Sequence, residues 1–177
     1  KSSVRLYYFG EYDYSEDENM QLDALESILN IKLIERLREA ESGVYGVSAS
    51  ASYAKYPRHR YSFSIAYGTS PDKVEPLMVA ALDEIDKIKQ HGPEQVDIDK
   101  FVSEQKRVLE VQLRENGFWL GHLSGSYQNH EDPAYILKYL DELSKVTAES
   151  VKAVANKYLV EDRLFRFVLM PERPDAE

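Results

Sequence analysis

Polar and apolar positions follow two different periods along the chain, and the switches between them divide it into elements. Residues 4–9 read as an opening strand. The acidic stretch 11–18 follows, where Ser15 and Glu18 fit the Ser-x-x-Glu capping box of a helix start. Over about 17–38, Leu22, Leu25, Leu29, Leu33 and Leu37 form one stripe at helical spacing. Ile28, Ile31 and Ile34 widen it toward other faces, so this helix is expected to pack on more than one side. Gly43 is the expected helix stop. The period then becomes two: Tyr45, Val47, Ala49, Ala51 and Tyr53 alternate with Gly46, Ser48, Ser50 and Ser52, which describes a strand with one small, polar face. Beyond Lys55-Tyr56-Pro57-Arg58, Tyr61, Phe63, Ile65 and Tyr67 interleave with Ser62, Ser64 and Ala66. The two strands are expected to pair as an antiparallel hairpin, with the serines on an open surface opposite the helices.

Ser70 and Pro71 suit the cap and first position of the next helix, and Val74, Leu77, Met78, Ala81, Leu82, Ile85 and Ile88 give it an apolar face. His91-Gly92-Pro93 stops it. Ile98, Phe101, Val102, Val108, Leu109 and Leu113 carry a second long helix expected to end near Asn116-Gly117, and Phe118-Trp119-Leu120 then reads as a core-anchoring turn. Asp132-Pro133 and Thr147 start shorter helices, and residues 164–170 form a last strand. The order predicts an α+β fold, a mainly antiparallel sheet with several helices packed on one side, in a single domain over 1–177.

Composition adds exclusions. With 43% hydrophobic and 30% charged residues the chain has enough apolar material to fold. It contains no cysteine, which removes disulfides and thiolate chemistry, and its formal charge of -9 opposes nucleic-acid binding. No apolar stretch is long enough to span a bilayer and no signal peptide is evident; any targeting segment of a longer parent would lie outside this sequence. His59, His91, His122 and His130 never stand three or four apart, so no zinc-binding helix is expected and no metal ligand is assigned. Neither a Gly-x-Ser-x-Gly elbow nor a phosphate loop is present.

The informative segment is Leu37-Arg38-Glu39-Ala40-Glu41-Ser42-Gly43-Val44-Tyr45-Gly46-Val47. It resembles the arginine-to-tyrosine motif in the carboxy-terminal half of pitrilysin/insulinase-type metallopeptidases, in which the two residues stand seven apart at a helix–strand junction. The 61–67 strand with Ser70-Pro71, the Phe118-Trp119-Leu120 segment, Glu131-Asp132-Pro133 and the 147–159 helix agree with that domain in order. The resemblance implies the zinc-free last domain of a larger peptidase, inactive alone, whose partner is the amino-terminal zinc-binding domain of the same parent. It also implies that Arg38 and Tyr45 bind the peptide backbone of the substrate, with Tyr45 as a catalytic donor to the substrate carbonyl. Zinc belongs to the parent and no cofactor to this chain. A bacterial parent would be periplasmic or of the cell envelope.

Other readings stay open on the residues alone. Arg38 also fits a helix-end cation paired with Glu35 or Glu41. Strict alternation would put Tyr45 with Val47 and Ala49 on the core face, unless a bulge at Gly46 moves it to the serine face. The domain also fits a noncatalytic scaffold of the same fold, or an independent peptide-binding module that accepts a strand at its hairpin edge.

Overall fold

The computed structural model describes residues 1–40 and 44–172, the side chains of residues 39, 40 and 45 excepted. The expected helix stop at Gly43 lies outside the described residues. Four strands, β1 (Ser2–Glu11), β2 (Val44–Ala54), β3 (Arg60–Thr69) and β4 (Leu164–Leu169), form one antiparallel sheet in the order β2-β3-β1-β4. The first and last strands are neighbours, in register from Ser3 opposite Leu169 to Tyr8 opposite Leu164. The helices are α1 (Glu16–Leu33), α2 (Val74–His91), α3 (Gln95–Gln112), α4 (Asn116–Asn129), α5 (Tyr139–Leu143) and α6 (Ala148–Tyr158). The expected α+β class and hairpin are what the structure has.

Alternation decides which sheet face is buried. Val4, Leu6 and Tyr8 of β1 and Tyr61, Phe63, Ile65 and Tyr67 of β3 point into the core, where they meet α1. The α1 leucine stripe 22, 25, 29 and 33 and Leu37 beyond it are wholly buried, each leucine contributing roughly 1.5–3 kcal/mol by leaving water. Asn19, Met20, Gln21, Ala24 and Ile28 are buried as well, so α1 is enclosed on more than one side, as its widened apolar surface predicts. α2 and α6 complete the enclosure through Leu77, Ala81 and Ile85 and through Val151, Ala155 and Tyr158.

Helix ends follow the sequence signals in part. Ser15 Oγ accepts the Glu18 N–H at 3.1 Å, but the Glu18 carboxylate accepts from Lys157 and the Tyr158 hydroxyl, both at 2.6 Å. Thr147 and Ser150 form a reciprocal capping box. Ser70 places Pro71 at the start of a 3-10 turn, Pro71–Lys73, but makes no side-chain cap bond. α1 continues into a π-helical segment, Ile34–Ala40. The larger correction concerns residues 113–120. α3 stops at Gln112, and Asn116-Gly117, expected to end a helix, instead opens α4, so Phe118-Trp119-Leu120 is helical and not a turn. It anchors little: Phe118 and Trp119 are half-buried and Leu120 is exposed. Asp132 caps a 3-10 segment, Pro133–Lys138, through Ala134 N–H, and this leads into α5.

Side chains of α1 also close the outer edge of β2. Asn30 donates to Ala49 O at 2.9 Å and accepts from Ala49 N–H at 2.7 Å, while Glu26 accepts from Ala51 N–H at 2.8 Å. The helix thereby supplies the hydrogen bonds that a fifth strand would have made there.

Candidate functional site

Arg38 and Tyr45 lie at the junction where the helix hands the chain to β2. Arg38 falls in the last turn of the π-helical segment and is exposed, while Leu37 beside it is buried and fixes that turn to the core. Glu35, one of the two partners considered for Arg38, lies 3.6 Å from Lys32. Glu41 lies outside the described residues, as does the side chain of Tyr45.

The backbone at Tyr45 is described, and it is irregular. Val44 stands opposite Thr69 and Val47 opposite Tyr67, so β2 advances three residues while β3 advances two, and one extra residue is inserted at Tyr45-Gly46. This is a bulge at the glycine where the sequence permits one. Strict alternation from Ala49 therefore does not carry through to residue 45. Gly46 is exposed, and a Cβ there would meet nothing within 4 Å.

From the bulge onward the sheet presents a face opposite the helices. Ser48, Ser50 and Ser52 are exposed there, in register with Ala66, Ser64 and Ser62 of β3. The same face continues over β1 and β4, where it becomes aromatic: Phe9 stacks on Phe165 at 5.1 Å between ring centroids, and Phe167 lies opposite Arg5. A shallow open depression lined by Ser3, Arg5, Tyr7, Gly68 and Phe167 occupies this aromatic half. The face thus runs from small hydroxyls on β2 and β3 to aromatic rings on β1 and β4.

Among the described residues no group of three His, Asp or Glu side chains converges on a point that would hold a metal ion. His122 Nε2 donates to Pro133 O at 2.7 Å, and the His130 ring lies edge-on to Tyr56. The described residues do not fit a zinc site. No helix among the described residues is long and apolar enough to cross a membrane.

Sequence reasoning missed a second concavity, about 520 Å³, between the first turns of α1, α4 and the 3-10 segment Pro133–Lys138. Its wall includes Asp23, whose carboxyl keeps accessible surface yet lies in a recess. Partial loss of hydration lifts it to about 6, against a smaller opposing effect of the Tyr53 hydroxyl, 3.2 Å away. The one sequence signal for this cavity was Gly117, Gly121 and Gly125, spaced by four on a single helix face.

Comparison with known proteins fits this geometry. The curated proteins similar to the chain include the probable zinc protease PqqL of Escherichia coli (strain K12), 25% identical over 140 residues that cover 79% of this chain and 15% of that protein. Another is the zinc protease PQQL-like of Arabidopsis thaliana, 26% identical over 110 residues covering 59% and 12%. The chain spans only about an eighth to a seventh of the length of these relatives. The structure of the periplasmic protease PqqL from Escherichia coli superposes with a TM-score of 0.82 at 21% identity, over 97% of this chain and 19% of that one. The inactive peptidase domain of a putative zinc protease from Bordetella parapertussis gives 0.78 at 13% identity, over 100% and 94%. At these identities the superpositions establish the fold. Residues 1–104 match the model of the peptidase M16 inactive domain, more than half of the chain, and the chain belongs to that family.

Proposed function

We propose that this chain is the closing domain of a zinc metallopeptidase: it walls the proteolytic chamber opposite the zinc-carrying domain and holds the substrate backbone, without cleaving peptides alone. The metal and the attack on the scissile carbonyl belong to the other domain. This chain contributes Arg38 and Tyr45 as hydrogen-bond donors to a substrate carbonyl, and donors of this kind accelerate the reaction when they bind the developing oxyanion better than the ground state. The observation that carries the reading is the bulge at Tyr45-Gly46, seven residues beyond the exposed Arg38 and at the rim of the serine-lined face. Membership of an inactive-domain family and the zinc-protease names of the relatives support it. The relative from Escherichia coli is described as periplasmic, and the same compartment is proposed for a bacterial parent of this chain. Strand addition at the β2 edge, which an independent peptide-binding module would use, is disfavoured where Asn30 and Glu26 already occupy Ala49 and Ala51.

The test is Tyr45→Phe and Arg38→Ala in the assembled parent. Tyr45→Phe is expected to lower kcat roughly 10- to 1,000-fold with little change in KM, as loss of one oxyanion donor does. Arg38→Ala is expected to raise KM as well, because a charged donor acts before and during the reaction. Zinc content and melting temperature should stay at wild-type values in both. Wild-type turnover in Tyr45→Phe would refute the assigned role.

A further inference from the structure

The concavity between α1 and α4 lies on the helix side of the sheet, away from its serine-lined face, and has its own chemistry. Glu16 and Asp23 project from the first two turns of α1 into its lining, and among the described residues neither has an ion-pair partner. A third carboxylate, Glu131, lies 3.5 Å from Lys55, whose ammonium also donates to Asn129 O at 2.6 Å. Tyr14 and Tyr53 meet edge to face at 6.0 Å and 69°, and Tyr135 and Tyr139 line the cavity with them. Among the described residues, Oδ1 of Asn19, a residue 6% exposed, and the Tyr135 hydroxyl, both on side chains of the lining, lack hydrogen-bond partners.

The α4 wall is made of hydrogen atoms. Gly117, Gly121 and Gly125 all line the cavity, and a Cβ built on any of them would meet nothing within 4 Å. Glycine in a helix interior weakens it, and no close backbone approach requires it here. The three positions leave open the space that side chains would fill.

These features select one ligand chemistry. Carboxylates without an ion-pair partner, beside tyrosine rings of which Tyr14 already takes the Lys55 ammonium at 5.7 Å, favour a cation over an anion. The orphaned Asn19 Oδ1 accepts an N–H and offers nothing to another acceptor. A volume of about 520 Å³ far exceeds a metal ion, and the carboxylates do not converge on one point. Met20, Phe101 and Ile136 supply apolar surface for a carbon stem. We propose that this cavity binds an alkylguanidinium or alkylammonium group, with Glu16 and Asp23 as counter-charges, Asn19 as acceptor and the glycine face of α4 as its floor. The group belongs either to a small organic cation or to a lysine or arginine side chain of a polypeptide.

The test titrates the 177-residue chain with n-butylguanidine and n-butylammonium, and with n-butanol and butyrate as neutral and anionic counterparts. Amide chemical shifts and Trp119 fluorescence report binding, since Trp119 is the only tryptophan and its ring lies 6.3 Å from that of His122 in the lining. Both cations are expected to saturate shifts in residues 16–23 and 117–131, and the counterparts to bind at least about tenfold more weakly. Glu16→Gln and Asp23→Asn should each weaken cation binding by roughly 3- to 10-fold. Gly121→Leu should abolish it while melting no lower than wild type, because the new side chain grows into open space and suits a helix better than glycine. Equal binding of n-butanol and n-butylguanidine would overturn the proposal, as would undiminished binding in Gly121→Leu or the absence of any saturable shift with the cations. A short peptide with one central arginine, compared with its glutamine counterpart, identifies the source. Arginine-dependent affinity well above that of n-butylguanidine assigns a polypeptide side chain, and equal affinity assigns a free cation.

Discussion

Gly92 has a φ of 72°, and a Cβ there would stand 2.9 Å from Ala148 O and 3.4 Å from Ala148 Cβ. Two separate demands therefore meet on one residue. The backbone turns through a region that side chains disfavour, and α2 ends against the first residue of α6 with no room for a methyl group. Gly92→Ala is expected to destabilise the chain by about 1–3 kcal/mol, read as a lower urea midpoint with an unchanged slope. A variant as stable as wild type would mean that the α2–α6 seam relaxes at no cost. The sequence shows half of this: His91-Gly92-Pro93 reads as a helix stop, whereas the approach of Ala148, far away in the chain, has no local signal. The same division holds at Tyr45-Gly46, where the glycine permits a bulge and only the register with β3 establishes one.

Individual elements were legible wherever periodicity alone decides them. The α1 stripe, both hairpin strands, α2 and α6 follow from apolar spacing, because each buries one continuous face. The break between α3 and α4 was not legible. Asn116-Gly117 has the composition of a helix stop, and α4 gives no competing periodic signal because only Ser126 of its residues is buried. The link from α1 to β2 was equally hidden, since Asn30 looks like an ordinary polar position within an apolar helix. Its amide nevertheless satisfies both Ala49 groups at the free edge of the sheet. Asn30→Ala should leave that N–H and C=O without protein partners and lower stability by about 1–3 kcal/mol. It should also make the β2 edge available for pairing with another strand, visible as concentration-dependent association. Asn30→Asp distinguishes the two bonds: it retains the acceptor for Ala49 N–H and loses the donor to Ala49 O, so it should fall between wild type and Asn30→Ala by chemical denaturation. A stability of Asn30→Ala equal to wild type would show that water replaces the helix at this edge.

The molecule as a whole divides into a closed core and a looser flank. β1 lies between β3 and β4 and joins the two ends of the chain, and it shares one continuous core with α1, α2 and α6. Unfolding any of these opens the rest, which predicts a single cooperative transition for them. α4 stands apart. Leu120, Leu123 and Tyr127 are exposed at 71%, 41% and 71%, and the helix meets α1 across the cavity rather than through packed side chains. Its ties to the remainder are chiefly polar: Lys55 to Asn129 O at 2.6 Å and His122 to Pro133 O at 2.7 Å. A segment with few buried apolar contacts opens locally at a free energy below that of global unfolding. Native-state hydrogen exchange should therefore show amides of residues 120–129 exchanging through sub-global opening, with a weaker denaturant dependence than that of α1, whose amides exchange only through global unfolding. The gap should narrow when n-butylguanidine saturates the cavity, because a ligand held between α1 and α4 stabilises the closed state in proportion to its occupancy. Equal protection of α4 and α1 without ligand would show that the polar ties alone join the flank to the core, leaving the cavity a rigid recess with no coupling to the motion of α4.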